Sequence, residues 1–195
     1  MKKTNLFIIV LCIMVLTLTG CGTDKTKILN ENMKKIDFTG DLITYQAYYH
    51  NIIEYDKQKD SFLEKNRKLF AEYTATVDLG IDMEKVIVTQ KDENTINVFL
   101  PKAKIINGPN ISKEDFDENK FIESSDNLIF KNNIDANDST NAVMQAQKEM
   151  KEAVNKDEEL LDLARRRAKI IVEENIRQVI GLSDNAYSIT WEYED

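Results

Sequence analysis

Residues 137–180 contain neither glycine nor proline and are dense in alanine, glutamate, lysine, leucine and arginine, which are strong helix formers. Asp138 or Ser139 can cap the start of this stretch, and Gly181 ends it. We predict one long helix, straight or kinked, and the weak sequence at 155–157 leaves two consecutive helices as the alternative. Apolar residues recur at the spacing of one helix face: Val143, Ala146, Met150, Ala153, Leu160, Ala164, Ala168, Ile171 and Val179.

Two earlier stretches alternate between apolar and polar residues, with the two-residue period of a half-buried strand. In the first, 42–55, one face carries Ile43, Tyr45, Ala47, Tyr49, Ile53 and Tyr55, and the other carries Thr44, Gln46, Tyr48, His50 and Glu54. In the second, 69–81, the alternate apolar residues face one way, and Glu72, Thr74, Thr76 and Asp78 face the other. Gly80 is expected to end or bulge this second strand.

Residues 86–89 and 95–106 flank a polar turn and predict an antiparallel hairpin. In the second arm the alternation changes phase at Pro101, which indicates a bulge or an edge position. Residues 107–134 are expected to be rich in loops, and 187–193 alternate again as a last strand. The predicted fold class is therefore α+β: a mainly antiparallel sheet, the long C-terminal helix packed on it, and a final strand that returns to the sheet.

The N-terminus has the pattern of an export signal, because Lys2 and Lys3 precede an apolar run, 6–16, that is short for a membrane span. The sequence Leu18-Thr19-Gly20-Cys21 follows and resembles the bacterial lipobox. That resemblance implies cleavage before Cys21 and a diacylglyceryl group on its thiol. An uncleaved anchor helix, or an ordinary signal peptide with a chance cysteine, is the alternative.

From these patterns we predict a cleaved lipoprotein signal peptide over 1–20, a lipidated tether over 21–36 and a single α+β domain over 37–195. The predicted location is the extracytoplasmic face of the cell membrane, held by two acyl chains on Cys21. Cys12 would leave with the signal, so the exported domain would have no thiol for a disulfide, a metal site or a nucleophile. The formal net charge of −8 argues against nucleic acid as a partner.

Three stretches resemble the bacterial domain-of-unknown-function family numbered 4230. They are YTATVDLGIDMEKVIV (73–88), INVFLPKAKII (96–106) and ARRRAKIIVEENIRQVIG (164–181). The resemblance covers roughly residues 40–193. It implies a shared fold and carries over no activity and no catalytic residue.

Four groups of polar residues are candidate sites, and each has a simpler structural interpretation. His50, the only histidine, falls on the polar face of its strand. Asp115, Asp117 and Glu118 suit a solvated acidic loop better than a carboxylate pair that acts on a sugar. Residues 135–139 fail the calcium-loop pattern at its most specific positions and fit a helix cap. The run 165–167 would spread around a helix, with Asp162–Arg166 and Glu173–Arg177 as surface ion pairs.

The best candidate ligand surface is aromatic and comprises Tyr187, Trp191 and Tyr193, although closure of the core explains these residues more simply. No catalytic residue, metal site or cofactor is predicted. We expect a non-catalytic binding or assembly module of the cell envelope, with an envelope protein or a second copy as its partner. The alternatives are a carboxylate-dependent cell-wall hydrolase and a small-ligand-binding lipoprotein. The helical stripe at 143–154 is thin in large apolar residues and could pack on a partner as well as on its own sheet.

Overall fold

The computed structural model describes residues 36, 38–57, 67–92, 94–116, 121–124, 136–180 and 187–194. Within these ranges the strands are β1 (Asp41–Lys57), β2 (Arg67–Asp82), β3 (Ile87–Asp92), β4 (Thr95–Leu100), β5 (Lys104–Ile111), β6 (Ile122–Ser124) and β7 (Ser188–Tyr193). The helices are α1 (Ala136–Lys156) and α2 (Glu158–Ile180), with 3₁₀ turns at Met83–Lys85 and Lys113–Phe116. The strands form two sheets.

The first sheet is built on a long antiparallel ribbon of β1 and β2. β5 and the short β6 both pair with the other edge of β2, at different points along it. Both strands of the ribbon were predicted from their alternation, and the apolar row of β2 is buried as expected: Leu69, Ala71, Tyr73, Ala75, Val77, Leu79 and Ile81. The ribbon therefore turns one face to the core and the other outward.

A β-bulge near the start of β1 changes the predicted parity. Ile43 pairs with Gly80 while Tyr45 pairs with Leu79, so Thr44 is the extra residue. Ile43 was predicted to point inward and is 45% exposed. The Thr44 hydroxyl instead donates a hydrogen bond to the Ala164 carbonyl of α2 at 2.8 Å. Gly80 lies inside β2, directly opposite the bulge, and does not end the strand.

The second sheet has the order β3–β4–β7. The predicted hairpin of β3 and β4 is confirmed, and Ile96, Val98 and Leu100 of β4 are fully buried. The second arm of that hairpin ends at Leu100, and the chain then enters the first sheet as β5 from Lys104. Pro101 has no N–H to continue a ladder, so the phase change in the sequence marks a change of sheet.

The prediction of one long C-terminal helix is wrong, because α1 and α2 are separate helices that meet at Asp157. The Asp157 N–H donates to the Val154 carbonyl at 3.1 Å, and this 3₁₀-type hydrogen bond ends α1. Its carboxylate accepts the Leu160 N–H at 3.0 Å, which caps α2. The second alternative, two consecutive helices, is the one observed.

Two further parts of the predicted fold class are wrong. A single sheet was predicted, and the strands form two. The final strand was predicted to return to that mainly antiparallel sheet, and β7 instead runs parallel to β4 in the second sheet. The segment expected to be loop-rich begins with strand: β5 continues through Gly108 and Pro109 to Ile111. β5 tolerates a proline because it lies at the edge of its sheet.

The helices pack on the inner face of the ribbon through small and medium side chains. The buried positions are Ala142, Ala146, Met150 and Val154 of α1, and Ala164, Ala168, Val172, Ile176 and Ile180 of α2. Within the stripe at 143–154, Ala146, Met150 and Val154 therefore belong to the core, whereas Ala153, which was predicted to share that face, is exposed. No helix within the described ranges is both long enough and apolar enough to cross a membrane.

Candidate functional site

The outward face of the ribbon carries the candidate site. With the helices on the inner face, the side chains of Gln46, Tyr48 and His50 in β1 share the outer face with Thr74 and Thr76 in β2. Tyr48 is 76% exposed, which is unusual for a large aromatic side chain. The neighbours of Tyr48 on this face are polar, so its ring has no apolar packing of its own.

Two adjoining cavities form a trough across this face. The larger, of about 470 Å³, includes Tyr48, His50, Thr74, Thr76, Asn110 and Ser112 in its lining. The smaller, of about 350 Å³, shares His50 and Thr74 and adds Glu72, Asp115 and Ile122. We call these joined cavities the outer trough. Its volume falls within the range of small-ligand sites in proteins.

Strand register explains how these residues come together. Tyr48 lies opposite Thr76, and Thr76 lies opposite Asn110 of β5, so one cross-strand row spans the sheet. His50 lies opposite Thr74 in the next row. Side chains directly opposite each other in a sheet point to the same face. The trough is therefore a product of pairing between three segments that are distant in sequence.

Asp115 closes one end of the outer trough. β5 pairs with β2 from Ala75 onward and β6 pairs only as far as Phe70, which leaves the edge of β2 open between them. Asp115 fills this gap: one carboxylate oxygen accepts the Thr74 N–H at 2.9 Å and the Thr74 hydroxyl at 3.0 Å. The carboxylate thus replaces a strand partner for a backbone N–H group that would otherwise lack one.

A chain of hydrogen bonds fixes the exposed ring of Tyr48. Its hydroxyl contacts the Gln46 amide oxygen, and the Gln46 amide nitrogen donates to Asp78 at 2.7 Å. Asn107 donates to the other Asp78 oxygen at 3.3 Å. Gln46, Asp78 and Asn107 form a single cross-strand row, so the network is anchored on all three strands. The ring is held by polar contacts at its tip while its face stays open.

The charged side chains of the trough lie at the end that contains His50, Glu72 and Asp115. His50 contacts the Glu72 carboxylate, and the Asp115 carboxylate accepts two hydrogen bonds from Thr74. Burial raises the pKa of the Tyr73 hydroxyl above its ordinary value, and the charge of Glu149 raises it further. Burial likewise raises the pKa of Tyr49. These two phenols, which border the trough, are therefore uncharged at neutral pH.

The predicted aromatic surface lies elsewhere, on and beside β7. Tyr187 and Trp191 are half-buried against the core, and Tyr193 is 44% exposed. Cations of α2 cover two of the rings: Lys169 lies 5.1 Å from the Trp191 ring centre, and Arg165 lies 5.2 Å from that of Tyr193. A ligand on this surface would have to displace these two cations from the rings. The aromatic surface therefore stays a prediction, and its rings are less accessible than that of Tyr48.

The remaining candidates are accounted for in part. The predicted helix ion pairs Asp162–Arg166 and Glu173–Arg177 are confirmed. The Arg167 side chain points to β1 and packs 4.8 Å from the Tyr45 ring centre, while Arg165 faces β7, so the basic run does spread around the helix. Asp138 is buried in the first turn of α1.

In the described ranges no cluster of acidic, histidine or cysteine side chains could hold a metal ion. Four of the candidate residues named from the sequence lie outside those ranges: Cys21, Asp117, Glu118 and Asp135.

Other cavities differ in chemistry from the outer trough. One of about 430 Å³ at the junction of α1 and α2 is lined by charges of both signs, including Lys102, Glu158, Asp162 and Arg165. Asp162 and Arg165 are already paired at 3.0 Å. This cavity suits a solvated helix junction, whereas the larger cavity of the trough has the open Tyr48 ring and no acidic, lysine or arginine residue in its lining.

Sequence reasoning placed His50 and Asp115 among the candidates but not beside each other, and it passed over Tyr48. One signal was available: Tyr48 is a lone aromatic residue among polar residues on the outward face of its strand. The partners on β5 could not be found in this way, since that segment was predicted to be loop-rich.

The family described as "Protein of unknown function (DUF4230)" has a model that matches residues 34–185, which is more than half of the chain. That range includes all three stretches on which the family resemblance rests. Searches of curated proteins and of solved structures found no match.

Proposed function

The chain belongs to the DUF4230 family of proteins of unknown function, and within that family we propose that it is a lipid-anchored protein of the extracytoplasmic membrane face that acts as a non-catalytic binding module of the cell envelope. The anchor is the diacylglyceryl group on Cys21. The binding site is the outer trough. The proposal makes Cys21 the attachment point and residues 22–36 the tether that separates the trough from the membrane.

The anchor is supported by the order of features at the N-terminus. The chain begins with two lysines, continues with a short apolar run and then has a cysteine after Leu18-Thr19-Gly20. This is the order of features in a bacterial lipoprotein signal. Stable membrane attachment takes about two acyl chains, which a diacylglyceryl group provides.

The observation that carries the binding role is the exposed, hydrogen-bonded ring of Tyr48 beside the outer trough. A large aromatic side chain fixed by its tip and open on its face offers contact area at little entropic cost on binding. Tyr48 is not part of the buried core, so packing of the core does not account for an aromatic residue at this position.

The alternative of a carboxylate-dependent hydrolase is less well supported by the site. Asp115, its one described acidic candidate, has a carboxylate oxygen committed to two hydrogen bonds from Thr74. Asp115 therefore fits a structural role at the edge of β2.

Substitution of Cys21 by serine is expected to remove the protein from the membrane fraction or to leave it unprocessed at its full length. Serine has no thiol to accept the diacylglyceryl group, so neither acyl chain is attached. Fractionation of cells, with detergent phase partitioning and intact mass of the product, measures both effects. Cys12→Ser, inside the predicted signal, is the matched control and should mature normally. A Cys21→Ser product that matures and partitions like the unaltered protein would refute the anchor.

A further inference from the structure

We propose that the outer trough binds an uncharged glycan chain, with a sugar ring stacked on Tyr48. This inference rests on the proposed function, since it names the ligand class of the same site. It is drawn from the ring, the polar lining and the charge around the trough.

The Tyr48 ring supplies the apolar contact. A pyranose ring carries C–H groups on its faces, and these pack on the electron-rich face of an aromatic side chain. The chain of hydrogen bonds from Tyr48 through Gln46 to Asp78 fixes the ring orientation before a ligand arrives. A ligand therefore does not need to immobilise a mobile side chain, which lowers the entropic cost of binding.

The polar lining beside the ring matches the hydroxyl groups at the edge of a sugar. Hydroxyls of Thr76 and Ser112 and the amide of Asn110 lie in the same cavity as Tyr48. Each hydroxyl or amide can both donate and accept hydrogen bonds, as each sugar hydroxyl can. Such groups pair with a neutral polyol without the desolvation cost of a buried charge.

The charge around the trough disfavours the main competing ligands. Glu72 and Asp115 at one end and Asp78 beside Gln46 repel phosphates and other anions. A cationic peptide would find these carboxylates already engaged, Glu72 with His50 and Asp115 with Thr74. An uncharged chain meets neither obstacle. The two cavities share His50 and Thr74 in their lining, so a chain of more than one sugar can contact both.

Isothermal titration of the full-length chain tests this inference. The protein is held in a polyoxyethylene detergent, since a maltoside detergent would itself present sugars. The probes are chitotetraose and cellotetraose, both uncharged, with tripolyphosphate as the anionic comparison. We expect at least one tetrasaccharide to bind and tripolyphosphate not to bind.

Two substitutions locate the site. Tyr48→Ala should weaken sugar binding by about tenfold, the loss expected for a single aromatic contact, and thermal melting should be unchanged because the side chain is exposed. Ile52→Ala is the matched control: Ile52 lies on the same face of β1, is 63% exposed and is not part of the trough. Its affinity should equal that of the unaltered protein.

Three results would overturn the inference. They are no binding of either tetrasaccharide, tighter binding of tripolyphosphate, and sugar binding that survives Tyr48→Ala but is lost in Tyr193→Ala. The last would assign the ligand to the aromatic surface on β7. None of these results changes the fractionation of Cys21→Ser, so a wrong ligand class and a wrong membrane location are told apart.

Discussion

Replacing Gly80 by alanine is expected to lower the free energy of unfolding by about 3 kcal/mol or more, the upper end of the range for overpacked sites. A Cβ built at Gly80 would lie 1.8 Å from the Leu42 carbonyl oxygen and 3.0 Å from the Ile43 Cα. Both are backbone atoms, so no side-chain rotation can relieve the clash. The β-bulge at Thr44 brings the two strands this close, and the Thr44 hydrogen bond to Ala164 of α2 ties the bulge in place.

Urea denaturation followed by the fluorescence of Trp191, the only tryptophan, measures this loss. Ile87→Ala is a suitable control, because Ile87 is an exposed strand residue of the second sheet. The control should change stability by less than about 1 kcal/mol. A similarly small change in Gly80→Ala would mean that the ribbon can separate at the bulge, contrary to the observed register.

Lysine at Ala146 is expected to destabilise the protein by about 4 kcal/mol or more, and lysine at Ala153 is expected to leave stability nearly unchanged. The two alanines belong to the same helix, α1, and were assigned to one apolar face from the sequence. Ala146 is fully buried, whereas Ala153 is exposed. A lysine at the first position would place a charge in the core, and at the second it would extend into solvent.

The same substitution in the same helix makes this pair a matched comparison. Urea denaturation and far-ultraviolet circular dichroism of both variants provide the measurement. If Ala146→Lys folds as stably as Ala153→Lys, the first half of the helical stripe is not packed on the sheet. That half would then be available for a partner.

The strands and their faces were largely predictable, because alternation in β1 and β2 reflects burial on one side of a ribbon. The exception, Ile43, lies at the bulge, where one inserted residue reverses the parity. A bulge depends on what the opposite strand can accommodate. Gly80 could be recognised from the sequence as a position that suits a bulge. Its pairing opposite the bulge at Thr44 could not.

The long-range arrangement was not predictable by the same reasoning. The division into two helices depends on the side chain of Asp157 acting as a cap, and the sequence alone left one kinked helix and two helices both open. The transfer of the chain between sheets at Pro101 and the parallel pairing of β7 with β4 depend on contacts between distant segments. The periodicity of a short segment does not predict contacts with distant segments.

The candidate site shows the same limit. The outward positions of Tyr48, His50 and Thr74 follow from parity alone, but their assembly with Asn110 and Asp115 needs the register of β2 with β5. The aromatic surface on and beside β7 was the best candidate ligand surface from sequence because its rings alternate along one predicted strand, although closure of the core explained them more simply. Lysine and arginine of α2 lie against those rings, and their approach depends on helix placement.

Photo-crosslinking in cells tests most directly whether the outer trough is a binding site of the anchored protein. A photoreactive phenylalanine analogue replaces Tyr48 in one variant and Ile87, an exposed residue of the second sheet, in another. Each is made with and without Cys21→Ser, and captured material is identified by mass spectrometry and sugar analysis. We expect an envelope component to be captured from position 48 of the anchored chain and not from position 87. Equal capture from both positions, or none from position 48, would contradict a binding role for the trough.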